Sequence, residues 1–483
     1  MRVAPADRDL ARTLERDDVR LALEGQLPEW LRPRRWFGGQ TRHLTGARIT
    51  GWLPLGDASA SPAVLCAVRA SDADGVTTRH PLFLAADTSG AVGEALESAS
   101  TRAALLALLL RGGIVQGHGL RLIGEPLGAQ GVEGLRADAP SRLVGAEQSN
   151  SSIVYGDRAI LKVYRRLESG PNPEVELGLY LTAEAAFAPV PRVHATGRLV
   201  DDDGLDAALL ILQAFVPNEG DGWAWALDRA GAALDASADA AGLARWFAEH
   251  EAVLAAVAEL GRTTARLHAA LALATAVPLQ PRPTGAAELA QWGVEARQEA
   301  QATMAALDRS GLDDAALRRA IEAALLFTPS AIAAPGLQMR VHGDYHLGQV
   351  LRSADGWTIL DFEGEPTRPL ALRRRQQHPL IDVAGMVRSW GYAARAAATT
   401  RPAKEALADA WEAAVRARFL AAYWAEAEAA PTSFLPPGAG DRAALLRLFE
   451  LSKALYEVRY ELDNRPTMVG IPGSAVERLM ADG

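Results

Sequence analysis

The period of the hydrophobic positions lengthens along this chain, from strand-like alternation in its first half to helical spacing in its second. A charged, helix-like start is followed by strand-like runs over Ala47–Leu55, Ala63–Ala67 and His80–Ala85, separated by Gly, Ser and Asp turns. Gly93–Leu110 reads as a helix, and His118–Ile123 and Arg142–Ala146 read as strands. Ile153–Tyr155 and Ala159–Tyr164 form a hairpin pattern about Gly156-Asp157. Leu209–Val216 is an apolar run stopped by Pro217, and the polar, Gly-containing stretch Asn218–Gly222 marks a boundary. Beyond it Val253, Val257, Leu260 and Leu267 share one helix face, with His268 read as a packed core histidine. Further helices are expected over Leu380–Ala398, Lys404–Ala429 and Arg442–Asp463. The pattern predicts an α+β fold: a small α/β unit over residues 1–90, a β-rich lobe over 91–217 and a mainly helical lobe over 218–483.

Composition narrows the partners. At 483 residues the chain is long for one hydrophobic core. Its 50 basic and 59 acidic residues give a net charge of -9, with no basic block to follow a phosphate backbone, which excludes nucleic acid as a partner class. Cys66 is the single cysteine, so no internal disulfide or cysteine-based metal cluster can form. The apolar run Ala103–Leu110 ends at Arg102 and Arg111, well short of a bilayer span, and the charged start lacks the apolar stretch of a signal peptide. A soluble cytoplasmic protein with no membrane partner is expected.

The chemistry concentrates in Arg340–Pro366. Asp344 follows the apolar lead-in Leu337–Val341, Asp361 ends the strand-like run Trp357–Leu360, and the turn Ser353–Gly356 brings the two together. Protein kinases carry a His-Arg-Asp loop, an Asn five residues on, then a strand ending in Asp-Phe-Gly. This chain has His342-Gly343-Asp344, Gln349 and Asp361-Phe362-Glu363. Each type has a reason: a base to orient the attacking hydroxyl, an amide oxygen for a metal ion, and a carboxylate that holds Mg²⁺ against nucleotide phosphates. Glu363 stands where the kinase glycine would be, able to reach metal-bound water or to brace the loop. A hydrophilic hairpin is the bland alternative.

Upstream, Gln148, Ser149, Asn150, Ser151 and Ser152 read as a polar loop able to offer N–H groups and hydroxyls to phosphate oxygens. Lys162 lies inside an otherwise apolar strand, where an ammonium needs solvent or an anionic partner. Glu176, in the helix-like Glu174–Ala186, is the expected partner, with Glu174 its nearer competitor. A nucleotide base is expected against the backbone around Gln213 and Phe215. On the last helix Lys453, Tyr456, Glu457 and Tyr460 share a face that suits either a polyol or a salt-bridged surface.

From about Glu147 onward the segments EQSNSSIVYGDRAILKVYRRLESGPNPEVELG, RVHGDYHLGQVL, ILDFEGEP, PLIDVAGMVRSWGYAA and KALYEVRYELDNRPTMVGIP resemble the maltokinases, within the aminoglycoside-phosphotransferase-like branch of the protein-kinase fold. The start, PEWLRPRRWFGGQTRHLTGARI, resembles that family's cap domain. The resemblance implies a kinase that uses ATP and Mg²⁺ to phosphorylate maltose at its anomeric hydroxyl for α-glucan synthesis, with another enzyme of that pathway as a partner. It implies Asp344 as base, Gln349 and Asp361 on the metal, Lys162 on the phosphates, and Asp382 steadying the catalytic loop. His342, Arg388, Tyr392, Lys453, Tyr456, Glu457 and Tyr460 would touch the sugar. Glucosamine kinases share this architecture, so glucosamine is the first alternative acceptor, with Glu457, Glu461 and Asp463 as carboxylates for a cation. An aminoglycoside acceptor and a non-catalytic nucleotide-binding protein follow.

Overall fold

The first sheet is antiparallel and four-stranded, β1 (Leu44–Leu55), β2 (Ala63–Asp72), β3 (Thr77–Ala86) and β4 (Val92–Glu94) in that order, behind helices α1 (Leu10–Thr13) and α2 (Asp17–Leu31). In β2 the alternation serves two cores. Val64, Cys66 and Val68 pack with Leu14, Leu23 and Leu27 of the helical side. Ala63, Leu65 and Ala67 pack with Leu53 and Phe83, and with residues of the next sheet. Because both faces are covered, β2 reads as a continuous apolar run. The structure, a computed structural model, describes residues 1–2, 9–37, 44–56, 63–87, 89–128, 134–144, 150–327, 332, 334–366 and 368–481.

After α3 (Ala99–Arg111) the second sheet contains β5 (Gly113–Gln116), β6 (Leu120–Pro126), β7 (Ser141–Val144), β8 (Asn150–Tyr155) and β9 (Ala159–Tyr164). Past the short helix α4 (Pro173–Leu179) come β10 (Val193–Asp201) and β11 (Asp206–Ala214). The seven strands run antiparallel in the order β5-β6-β10-β11-β9-β8-β7. Leu122, Leu199 and Leu210 of this sheet join Leu53, Leu65 and Phe83 of the first in one apolar core. Residues 1–90 and the following lobe therefore form one compact unit, Met1–Thr182 with Pro191–Pro217.

The second unit, Ala183–Val190 with Asn218–Gly483, is mainly helical. It contains α5 (Gly222–Ala236), α6 (Ala240–Glu249), α7 (Glu251–Ala272), α8 (Ala286–Ser310), α9 (Ala315–Leu325), α10 (Leu370–Arg373), α11 (Leu380–Ala398), α12 (Glu405–Glu428), α13 (Ala439–Asn464) and α14 (Gly470–Ala481). Helix α12 packs along α7, and α13 packs along α8 and α11. Gly261 lets α7 and α12 close up, since a Cβ there would meet the Phe419 carbonyl. Short strand pairs, β12 (Arg282–Pro283) with β13 (Leu337–Gln338) and β14 (Val350–Ser353) with β15 (Gly356–Ile359), frame the polar stretch between them. Among the described residues no helix is long and apolar enough to cross a membrane.

Candidate active site

In the first unit the site is built on β9 and α4. Asn172 caps α4, its Oδ1 accepting from the N–H groups of Glu174 at 2.8 Å and Val175 at 3.3 Å, and Pro173 opens the helix. The cap puts Glu174 in the first turn, where the helix dipole favours a carboxylate. Lys162 Nζ lies 2.9 Å from Glu174 Oε2, so Glu174, the nearer competitor, pairs with the lysine. Two positions along a helix turn the side chain by about 200°, and Glu176 accordingly lines a cavity on the helix's other side.

The polar stretch before β9 differs from expectation. Asn150, Ser151 and Ser152 are buried strand residues of β8, paired with Tyr164, Val163 and Lys162. The Ser151 hydroxyl accepts from Arg165 Nε at 2.9 Å, which explains a polar residue in a strand. They stand in a strand where a loop was expected, and Gln148 and Ser149 lie outside the described residues. Gln213 pairs with Ile160 within the sheet. The Phe215 N–H donates to the Arg158 carbonyl at 2.9 Å, which leaves the Phe215 carbonyl as its backbone group for a base.

In the second unit Asp382, at the start of α11, organises the catalytic loop. Its carboxylate accepts from the N–H of His342 at 2.8 Å and of Gly343 at 2.9 Å, and from His268 Nε2 at 3.3 Å. Burial pushes this carboxyl up, but the His268 bond, the positive surroundings and the backbone donor outweigh it and hold the group below 3.8. Gly343 turns the chain at φ 81°, a conformation a side chain would strain. His342, expected on the sugar, is a brace: its side chain is buried and its Nε2 donates to the Leu360 carbonyl at 2.7 Å, tying the loop to the end of β15. Asp344 is left with Oδ1 3.6 Å from Lys453 Nζ and Oδ2 4.0 Å from His346 Nε2. Burial keeps that histidine below 6.5 despite the Asp344 charge.

The β14–β15 hairpin brings the two expected metal-holding residues together, with Gln349 Nε2 3.3 Å from Asp361 Oδ2. Asp361 has φ 63°, an uncommon conformation for a side chain with a Cβ and one that recurs at functional sites. A carboxylate facing a side-chain amide is an all-oxygen donor set once the amide turns its oxygen inward, which suits a hard cation such as Mg²⁺. Glu363 Oε2 lies 4.0 Å from Arg373, whose NH1 also donates to the Glu363 carbonyl at 3.1 Å, and a Glu363 carboxylate oxygen lies within 4.8 Å of one of Asp361, so both the bracing and the metal-holding roles stay open to it.

Beside Asp344 lies a cavity of about 140 Å³ walled by the catalytic loop, α8, α11 and α13. Its lining carries five carboxylates, Glu295, Glu299, Asp344, Glu365 and Asp382, against the cations Arg368 and Lys453. Trp292, Phe449 and Tyr456 add aromatic surface. Of the expected sugar contacts on α11 and α13, Lys453 and Tyr456 line it. Arg388, Tyr392, Glu457 and Tyr460 do not. Arg388 is 4% exposed and bonded to Glu457 at 2.8 Å, Tyr392 donates a short hydrogen bond to Glu461, and Tyr460 points outward, 45% exposed. Glu461 also pairs with Arg465, so Glu457 and Glu461 of the three carboxylates expected for a cation are committed to structure, while Asp463 is exposed and does not line the cavity. The sequence reading missed Trp292, Glu295 and Glu299, whose i, i+3, i+7 spacing on α8 was the available signal.

Residues 141–434 match the model of the phosphotransferase enzyme family. The chain belongs to that family. This phosphotransferase is 30% identical over 384 residues to a glucosamine kinase of Streptacidiphilus jiangxiensis, covering 78% of this chain and 79% of that one. It is 30% identical over 347 residues to a glucosamine kinase of Mycolicibacterium smegmatis, covering 71% and 80%. A solved glucosamine kinase in complex with glucosamine, ADP and inorganic phosphate superposes with a TM-score of 0.64 at 25% identity, over 90% of this chain and 93% of that one. The phosphotransferase has the family's α+β kinase-like fold, and its acceptor is an alcohol group.

Proposed function

We propose that this phosphotransferase is an ATP- and Mg²⁺-dependent kinase of an amino sugar, converting glucosamine to glucosamine 6-phosphate. The observation that carries the reading is the acidic lining of the cavity beside Asp344, five carboxylates of which Glu295 and Glu299 are also held by the partly exposed Arg375 and Arg459, and Asp382 by the catalytic loop. A sugar ammonium gains from such a field, whereas neutral maltose gains nothing from it and must leave the acids solvated. The expected maltose contacts on Arg388, Tyr392 and Glu457 are also engaged elsewhere. The relatives, named glucosamine kinases, favour the same acceptor.

In the proposed mechanism Asp344 orients the acceptor hydroxyl and takes its proton as the new O–P bond forms and the bond to the ADP leaving group breaks. Lys453 holds the Asp344 carboxylate from one side. Lys162, set by Glu174, stabilises the charge of the transferring phosphates. Gln349 and Asp361 would hold the Mg²⁺, which supplies charge neutralisation at the β- and γ-phosphates. The test is product formation from ATP and Mg²⁺ over glucosamine, N-acetylglucosamine, maltose, glucose and kanamycin, with the phosphate position read by NMR. Glucosamine 6-phosphate as the main product, with N-acetylglucosamine rejected, is expected. Phosphate on the anomeric carbon of maltose would overturn the acceptor and keep the catalytic residues.

A further inference from the structure

Lys162 and Tyr164 are two residues apart on β9, so their side chains leave the same face of the strand. Both reach one atom. Glu174 Oε2 accepts from Lys162 Nζ at 2.9 Å and from the Tyr164 hydroxyl at 2.8 Å. Tyr164 is 2% exposed, so its hydroxyl is held in a dry environment where a bond to an ionised acceptor is strong. The helix that carries Glu174 is weakly supported from behind. Its seven α-helical residues run on into a π-helical turn over Tyr180–Glu184, and Val175, Glu176 and Leu179 on its other faces line a cavity of about 440 Å³ against Thr196, Gly197 and Ala208 of β10 and β11. Packing on that side is therefore incomplete, and the bonds to Glu174 carry more of its placement.

We infer that Tyr164 is a positioning residue for nucleotide binding, acting through Glu174. Its hydroxyl fixes the carboxylate independently of the lysine, so Glu174 stays in place when Lys162 turns its ammonium toward phosphate oxygens. The inference rests on the proposed role of Lys162 in binding ATP. It differs from a packing role for the tyrosine, because Tyr164→Phe keeps the ring and removes only the donor.

The experiment compares the full-length protein with Tyr164→Phe, Glu174→Ala and the double variant, measuring KM for ATP and for glucosamine, kcat, the thermal midpoint and ADP affinity by calorimetry. Loss of one hydrogen bond to a charged group predicts a rise of about tenfold in KM for ATP in Tyr164→Phe. KM for glucosamine should stay unchanged and the thermal midpoint within a few degrees. In the Glu174→Ala background the same substitution should change KM for ATP by less than twofold, which a packing role would not produce. A tenfold effect that persists without Glu174, or an unchanged KM for ATP in Tyr164→Phe, would overturn the inference while leaving the kinase reading intact. Wild-type protein that binds no ADP and no ATP would remove both.

Discussion

Glu295 and Glu299 on α8 and Glu457 and Glu461 on α13 are chemically alike and oppositely placed. The α8 pair lines the cavity beside Asp344, and each is matched to an arginine that is itself about a third exposed, Arg375 at 36% and Arg459 at 33%. The α13 pair is itself turned inward: Glu457 meets Arg388, 4% exposed, and Glu461, 2% exposed, takes Tyr392 from inside and Arg465, 56% exposed, from the solvent side. Solvent-exposed pairs exchange partners at little cost, and buried ones do not. On the proposed function the first pair would face a cationic acceptor, and the Arg388–Glu457 and Tyr392–Glu461 contacts of the second hold α11 to α13. Arginine at Arg375 keeps Glu295 ionised, because its hydrogen bond and charge outweigh the burial that would raise the carboxyl.

Asp344 is the strongest test of the cavity side. Asp344→Asn should lower kcat by roughly 10²- to 10⁴-fold, the usual contribution of a positioned base, with ADP affinity by calorimetry unchanged. Wild-type-like turnover would remove Asp344 from that role. The buried side is tested by Arg388→Met, which leaves Glu457 without its partner and should cost about 3–5 kcal/mol in urea unfolding. The double variant Arg388→Met with Glu457→Leu should recover most of that loss and keep KM for glucosamine. A folded double variant that no longer binds glucosamine would return these two residues to the acceptor site and erase the contrast.

The contrast also marks where sequence stopped being informative. Local spacing sufficed to expect Gln349 and Asp361 side by side, because a single hairpin positions them. Lys162 was legible for a similar reason: an ammonium inside an apolar strand demands an anion nearby. Its partner was not, since Glu174 and Glu176 differ only in helix phase, and the phase is set by the Asn172 cap. Polarity suggested a loop at Asn150–Ser152, whereas the backbone there pairs with β9 and Arg165 satisfies the Ser151 hydroxyl within the strand. On α13 the spacing placed Lys453, Tyr456, Glu457 and Tyr460 on one face. It could not say which neighbour each would meet, because Arg388 is 69 residues from Glu457 and Arg375 is 80 from Glu295. Long-range packing decided which acids face the cavity.

A smaller effect sharpens the cavity side. Glu299→Gln keeps the shape and removes one charge, so KM for glucosamine should rise up to about tenfold while any activity toward glucose is unchanged. Equal losses on both sugars would mean that the residue shapes the wall and does not select the cation.

The smallest effect concerns stability and compares the two units through their buried histidines. In the first unit His80 donates from Nδ1 to the Arg165 carbonyl at 2.7 Å and accepts from Thr78 at Nε2. In the second, His378 donates from Nε2 to the Pro335 carbonyl at 3.0 Å and accepts from the Leu380 N–H at Nδ1. Each ring uses its lone pair as an acceptor, so protonation would break a bond as well as charge a buried group. Burial accordingly pulls His80 down to about 4 and His378 to about 3, from 6.5. Below pH 6.5 the unfolded chain takes up protons that the folded chain refuses. Stability from these groups is therefore complete above 6.5 and falls as the pH drops toward 4, by about 1 kcal/mol per histidine between pH 7 and 5.5. Urea unfolding at pH 7, 6 and 5.5 should show the midpoint falling, and His80→Asn and His378→Asn should each flatten the slope. A wild-type midpoint independent of pH over that range would mean that both rings accept a proton in the folded state, and would deny the two units this shared source of acid sensitivity.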